Sequence, residues 1–228
     1  MMRKTLFPWL SNGFVALSAE AQVGGTAGEQ ASDVFDRFAL ELRSEGLSLA
    51  DTVRTRLWAR DRKSRDGGSR ERVAALAGDA RSASSSYIAP AHFESSASVA
   101  VDLLAMRPHG AGTTKVMKEY DPPIVPLRHL TSSSFVFLSG VTSEVGTLAD
   151  QMADILPRIE GSLVDAGASW AQAVHISFHL HTSCKVADLR ALFQDAVSAR
   201  VPSVEYAFVE GYSLPGKLIE IEVTANKG

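Results

Sequence analysis

Cysteine is almost absent from this chain: Cys184 is the only one in 228 residues. That excludes a disulfide within the chain, suits a reducing compartment and leads us to expect a cytoplasmic setting. Long apolar runs are also missing, and no stretch approaches the length of a membrane span. There is no surplus of basic charge. The formal net charge is −3, and no basic stripe carries interleaved aromatics, so nothing points to a nucleic-acid partner. The one basic run, Arg54 to Arg72, is broken by Asp61, Asp66 and Glu71 and reads as a solvated face. Neither a CxxC nor an HExxH pattern occurs, so the strong metal signatures are lacking.

What is present is ordinary in composition, with 45% hydrophobic and 21% charged residues. The length allows one large domain or two small ones. Near the C-terminus, Ile219-Glu220-Ile221-Glu222-Val223-Thr224-Ala225 alternates apolar and polar residues. That pattern predicts a strand with one buried face and carboxylates on the other. On spacing alone, a solvated edge strand is an equally open reading of those carboxylates. A weaker copy, Val99-Ala100-Val101-Asp102-Leu103-Leu104-Ala105, occurs earlier.

The copies belong to a longer repeat. Phe14-Val15-Ala16-Leu17-Ser18 matches Phe135-Val136-Phe137-Leu138-Ser139 at an offset of 121 positions. Glu45-Gly46-Leu47-Ser48-Leu49 matches Ala166-Gly167-Ala168-Ser169-Trp170 at the same offset. Helices are predicted over 29–45 and 148–165, with Gly46 and Gly167 just past their ends. Strands are predicted over 49–59 and 173–181, and shorter helices over 69–76 and 185–197, the first preceded by Gly67 and Gly68. Each half reads strand, helix, strand, helix, strand, strand. Two domains are therefore expected, 1–108 and 124–228, joined by a linker over 109–123. Each is near the lower size limit for independence, so their sheets should share a buried interface. Arg3 and Lys4 ahead of Leu6, Phe7, Trp9 and Leu10 offer a signal-peptide reading. Pro8, Ser11, Asn12 and Gly13 interrupt it, and the repeat gives residues 14–18 a structural role.

The C-terminal half resembles the RidA (YjgF/UK114) superfamily of reactive-intermediate deaminases. The resemblance rests on Phe135 to Gly140, Asp165 to Ser169, Leu214-Pro215 and Ile219 to Ala225, and the N-terminal half is a degenerate copy. It implies two tandem α+β domains of chorismate-mutase-like fold, each a mixed sheet backed by two helices. It further implies association into trimeric rings, a small-molecule substrate bound in interdomain clefts, and no cofactor or metal. Typical members hydrolyse enamines or imines to a keto acid and ammonia. An aminomuconate-type deaminase is the first expectation, with a non-catalytic ligand-binding or assembly protein and a chorismatase-like lyase or hydrolase as alternatives.

The sequence departs from the family where its substrate-carboxylate arginine belongs. Pro202-Ser203 is followed by Val204 and Glu205, and the loss of a guanidinium removes a bidentate clamp. Arg128 and Arg190, at positions matching a family glutamine and asparagine, are the expected replacements. Glu205 and Tyr206, beside the substituted position, join them as candidate substrate-binding residues. Glu220 is the expected catalytic acid/base, and the backbone at Gly140 the expected stabiliser of charge on oxygen. In the first copy Ala100 stands for Glu220, Ala19 for Gly140, Phe7 for Arg128 and Ser69 for Arg190. That copy is expected to complete the assembly and one wall of the cleft, with Arg81, Ser85 or Tyr87 reaching in. His175, His179 and His181 share a strand face near Cys184, which fits strand histidines at a subunit interface better than a metal site.

Overall fold

The computed structural model describes residues 2–108 and 115–228, so residues 109–114 of the expected linker lie outside the described residues. In the first unit, β1 (Met2–Trp9) and β2 (Asn12–Glu20) form a hairpin, followed by α1 (Ala27–Ser44), β3 (Thr52–Ala59), α2 (Arg62–Ala75), β4 (Ala83–Ile88) and β5 (Val99–Met106). The second unit has β6 (Val116–Lys118), β7 (His129–Ser132), β8 (Phe135–Leu138), β9 (Val141–Thr142), α3 (Leu148–Asp165), β10 (Ala173–His181), α4 (Val186–Ala196), β11 (Val204–Val209) and β12 (Ile219–Asn226). One sheet runs β1-β2-β5-β3-β4 and the other β11-β10-β12-β8-β7-β6, with β9 also on β12. In each unit a helix crossover joins the one parallel pair, β3–β4 and β10–β11.

The duplication extends to local chemistry. Thr26 with Glu29 and Thr147 with Asp150 close reciprocal capping boxes at the starts of α1 and α3. Gly46 and Gly167, both at φ 72°, take the left-handed turn past the helix ends. β3 and β10 carry a register shift at matching places, between Thr52 and Arg54 and between Ala173 and His175. The first shift lets Val53 enter the intersheet core while Arg54 also points inward.

Three differences from the sequence reading have physical causes. The residues before Gly13 form a strand that pairs with β2 along its length. Val116–Lys118, inside the stretch read as linker, pairs with β7. The helix predicted over 69–76 begins earlier, at Arg62, and is capped by Asp61, which accepts from Ser64 N–H at 2.7 Å. Gly67 and Gly68 therefore lie within that helix. A Cβ on Gly67 would meet Ala27 Cβ at 3.2 Å, and one on Gly68 would meet Leu57 Cδ1 at 3.0 Å. They allow α2 to approach both α1 and the sheet, which compensates their poor helix propensity.

Helices cover the outer face of each sheet, and the inner faces pack on one another. Val34, Phe35, Phe38 and Leu42 bury α1 against one sheet, and Ile155, Ile159 and Leu163 bury α3 against the other. Between the sheets, Phe14, Val53, Leu130, Phe135 and Phe137 form one cluster, and Trp58, Tyr87, Val209 and Tyr212 another. A polar network lies in the same interface. Glu222 on β12 is 1% exposed. Its Oε1 accepts from the Ser85 hydroxyl at 2.5 Å and the Tyr87 hydroxyl at 3.0 Å, and its Oε2 from Arg56 Nε at 3.0 Å. Arg54 donates to Thr224 Oγ1 at 2.9 Å and to the Val223 carbonyl at 3.0 Å. Burial pushes the Glu222 carboxyl up, but the charge of Arg56, followed by His179 and Arg54, holds it well below the usual carboxylate range.

Removing one partner of a buried ion pair leaves the others uncompensated. Glu222→Gln should therefore lower the unfolding free energy by about 3–5 kcal/mol in urea titrations. A loss below about 1 kcal/mol would mean that the network contributes little to the interface.

Candidate functional site

Glu220 and Glu222 both leave β12 toward the intersheet space, while Ile219, Ile221 and Val223 enter the helix-side core. The acidic face of this strand is thus a buried interface and not a solvated edge. Glu220 is 5% exposed and lies opposite Thr142 on β9 and His179 on β10. It sits directly on Gly140, where any Cβ would stand 1.8 Å from Glu220 Oε1. Only glycine leaves room for this carboxyl group. The Gly140 N–H itself donates to the Ser84 carbonyl at 3.3 Å.

Burial, and secondly the nearby charge of Glu222, raise the Glu220 carboxyl to about 8, with Lys217 opposing. At neutral pH this group is mostly a protonated acid. It faces a cleft of about 890 Å³ between the two units. The second unit supplies Gly140, Thr142, Arg158, Lys217 and Glu220, and the first supplies Arg65, Ser69, Arg72 and Ser84 to Ser86. Five basic residues line the cleft against three acidic ones, one of them Glu220. Lys217 is buried and donates to Ser213 Oγ at 2.7 Å. Burial lowers its pKa. Arg72 is 6% exposed and donates to the Ser85 carbonyl, and among the described residues no carboxylate lies within ion-pair reach of it. Burial lowers its pKa to about 10, with the like charge of Arg65 next.

The other residues singled out from sequence lie apart from this cleft. Arg128 donates to Ser162 Oγ at 3.1 Å beside Asp165 at the end of α3. Arg190 lies on α4 with its guanidinium 5.0 Å from the centre of the Tyr206 ring. Tyr206 stacks on Phe178 at 5.5 Å on the helix side of β11. Arg128, Arg190 and Tyr206 therefore face the outer helical layer, and a clamp built from the two arginines does not form within one chain. Glu205, one residue along β11, points inward, pairs with Arg56 at 3.0 Å, and lines a second cavity of about 580 Å³ with Trp9, Asp102 and His175. Of the six predicted residues, Glu220 and Gly140 meet in the large cleft.

Sequence reasoning missed Arg65, Arg72 and Lys217. Lys217 closes the Leu214-Pro215-Gly216-Lys217 turn, and the two arginines sit in the run read as a solvated face. Among the first copy's suggested contributors, Ser85 lines the cleft, Tyr87 donates to Glu222, and Arg81 pairs with Glu119. The histidines do not converge. His175 bonds Ser203 at 2.8 Å and His181 bonds Ser183 at 2.7 Å. His179 is fully buried and stacks on Tyr87 at 4.0 Å, and burial lowers its pKa to about 3. Among the described residues, no group of three or more His, Cys, Asp or Glu side chains is arranged to hold a metal ion.

No protein-family model and no curated protein matches this sequence. Among solved structures, a chorismatase is similar over 98% of this chain and 80% of its own, with a TM-score of 0.64 and 15% identity. That likeness shows a shared fold. A YjgF/YER057c/UK114 family member from Mycobacterium tuberculosis is similar over 50% of this chain and 99% of its own, at 24% identity and a TM-score of 0.43. A YjgF family member from Neisseria meningitidis covers 51% of this chain and 97% of its own, at 25% identity and a TM-score of 0.44. The chain thus has a fold of two tandem α+β units, shared along its length with the chorismatase.

The raised pKa of Glu220 has a consequence for stability. Between the ordinary value of 4.5 and about 8, the native state holds a proton that the unfolded state has released. This group therefore makes stability fall as pH rises through that window, by about 1.4 kcal/mol per unit of difference. Glu220→Gln, neutral throughout, should match wild type near pH 5 and exceed it near pH 8 in urea midpoint. Equal midpoint differences at both pH values would refute the raised pKa.

Proposed function

We propose that the cleft hydrolyses an enamine or imine of a small carboxylated metabolite, of aminomuconate type, to a keto product and ammonia. The observation that carries this reading is Glu220, a buried carboxyl group raised to about 8 at the floor of a positively lined cleft. A general acid is most effective with a pKa near the working pH. The protonated Glu220 gives its proton to the enamine carbon, and the nitrogen lone pair completes an iminium ion. The resulting carboxylate then takes a proton from a water molecule as its oxygen bonds to the iminium carbon. Returning that proton to nitrogen lets the C–N bond break, so ammonia leaves, and the hydroxyl gives its proton to the Glu220 carboxylate as the carbonyl forms. The carboxyl group gives up a proton twice and regains one twice, so it ends the cycle as it began. The balance of the reaction is enamine plus water to ketone plus ammonia.

Arg65, Arg72, Arg158 and Lys217 favour an anionic substrate in this partly desolvated space. The same acid also suits an enol ether, whose carbon accepts a proton in the same way. The whole-chain likeness in fold to a chorismatase makes that the second reading. Exposed Val204 and Phe208 on the edge strand β11 favour assembly of several chains, which light scattering in solution would test. No helix among the described residues is long and apolar enough to cross a membrane.

Ammonia release from fresh 2-aminoacrylate and 2-aminomuconate tests the main reading, with chorismate cleavage as the parallel assay. Glu220→Gln should lower kcat by about a hundredfold or more on whichever substrate reacts. Wild-type activity should fall as pH rises above about 8, as the acid is lost. No turnover of any of these substrates would sink the catalytic reading for this panel and leave a ligand-binding cleft.

A further inference from the structure

The cleft wall supplied by the first unit carries more positive than negative side chains, with Arg65, Arg70 and Arg72 against Asp66. Arg65, Ser69 and Arg72 are spaced at i, i+4 and i+7 on α2, so they share one face of that helix, and all three line the cleft. The Arg65 guanidinium is close enough for its charge to disfavour that of Arg72. Asp66 pairs with Arg65 at 2.7 Å, and among the described residues no carboxylate pairs with Arg72. Arg65 Nε is buried without a hydrogen-bond partner. Arg72 is more than nine-tenths buried and, among the described residues, donates only to the neutral Ser85 carbonyl. Glu220 of the second unit is the first of the charges that oppose the lowering of the Arg72 pKa, and it is mostly protonated at neutral pH. A buried cation without a counter-charge is costly, and this one faces open space with hydroxyls around it. Ser69 and Ser86 lie 3.0 Å apart through their Oγ atoms, and both line the same wall.

We propose that Arg72, supported by Arg65 and Ser69, is the subsite that holds the substrate's carboxylate. It takes the role that sequence reasoning gave to Arg128 and Arg190. The proposal rests on the cleft being the reaction site and adds the anchoring residue and its origin in the other unit. A planar guanidinium pairs with a planar carboxylate through two parallel N–H···O bonds. Such an anchor on α2 directs the opposite end of a small substrate toward Glu220 on β12. The first unit, which carries Ala100 where the second carries Glu220, thus provides recognition while the second provides chemistry. Position 72 corresponds to Phe193 in the other copy, which packs against Phe178 at 5.2 Å between helix and sheet. An arginine at that inward-facing place has no packing reason to be there, and an anion gives it one.

The test uses an unreactive anion, so that it does not depend on turnover. Pyruvate binding to the full chain is followed by calorimetry, with inorganic phosphate in a parallel arm. Wild type should bind pyruvate saturably, Arg72→Gln should weaken it at least about tenfold, and Arg72→Lys should recover only part, because an ammonium lacks the fork. Arg65→Gln, nearer the rim, should weaken it less, and Glu220→Gln should retain it. Pyruvate binding unchanged in a folded Arg72→Gln, or absent from wild type, overturns the proposal. So does binding of phosphate in preference to pyruvate. If enamine hydrolysis persists in Arg72→Gln with unaltered KM, the anchor is wrong and the reaction reading stands. If pyruvate binds through Arg72 and no enamine is hydrolysed, the anchor stands and the reaction reading falls.

Discussion

The Glu222 carboxylate is the contact on which the arrangement of the two units depends. It leaves a strand of the second unit and is satisfied almost wholly by the first, through Arg56, Ser85 and Tyr87. An intersheet core of phenylalanines supplies attraction without direction. The carboxylate supplies direction, because its acceptor sites are met only when β3 and β4 lie across β12 in one register. The same charge sets the chemistry two residues away. Glu220 shares its strand face, and the Glu222 charge adds to burial in keeping the Glu220 proton on. One interaction thus fixes the interface and tunes the acid that the interface encloses.

The two copies have diverged in complementary directions. The second keeps Gly140 and Glu220, and the first has Ala19 and Ala100 there. With alanine at 19, a carboxyl at 100 would lose the space that Gly140 gives Glu220, so the paired loss of glycine and acid is consistent. In exchange the first copy carries Arg54, Arg56 and Arg72 where the second has His175, Ser177 and Phe193. Two of these arginines hold the interface and the third faces the cleft. Duplication within one chain permits this division, because each interface residue can change in one copy without changing in the other.

The repeat was legible in the sequence because it rests on signals with short physical range. Gly46 and Gly167 mark helix ends, and the alternation of β12 marks its two faces. Glu220 and Gly140 were legible for a similar reason, as members of a strand and a turn whose positions the repeat fixes. α2 was not, because its boundary depends on Gly67 and Gly68, which look like breakers until α1 and Leu57 are seen to need the space. Arg72 was hidden for a related reason. In a run of charged residues an inward-facing arginine has the same local pattern as a solvated one, and only the other unit closes the cavity around it. Matching positions alone do not say which layer a side chain enters. Arg190 lies on the helical layer with Tyr206, while Glu205, one residue away on β11, points inward by strand parity.

Taken alone, the acid and the arginine of the cleft are each unfavourable. Glu220 gives up a charged form that water would stabilise, and Arg72 keeps a charge with no carboxylate beside it. Stability alone would favour pairing them, as it has paired Glu222 with Arg56. Among the described residues no ion pair joins them: one is backed by Gly140 and the other tied to the Ser85 carbonyl. If they paired, the acid would lose its proton and the cation its vacancy, and the cleft would be an ordinary buried salt bridge. Their separation leaves room for a molecule that brings a carboxylate to one wall and a basic carbon or nitrogen to the other. Stability forgone at two positions that face a common cavity is the expected signature of a site kept for binding and proton transfer.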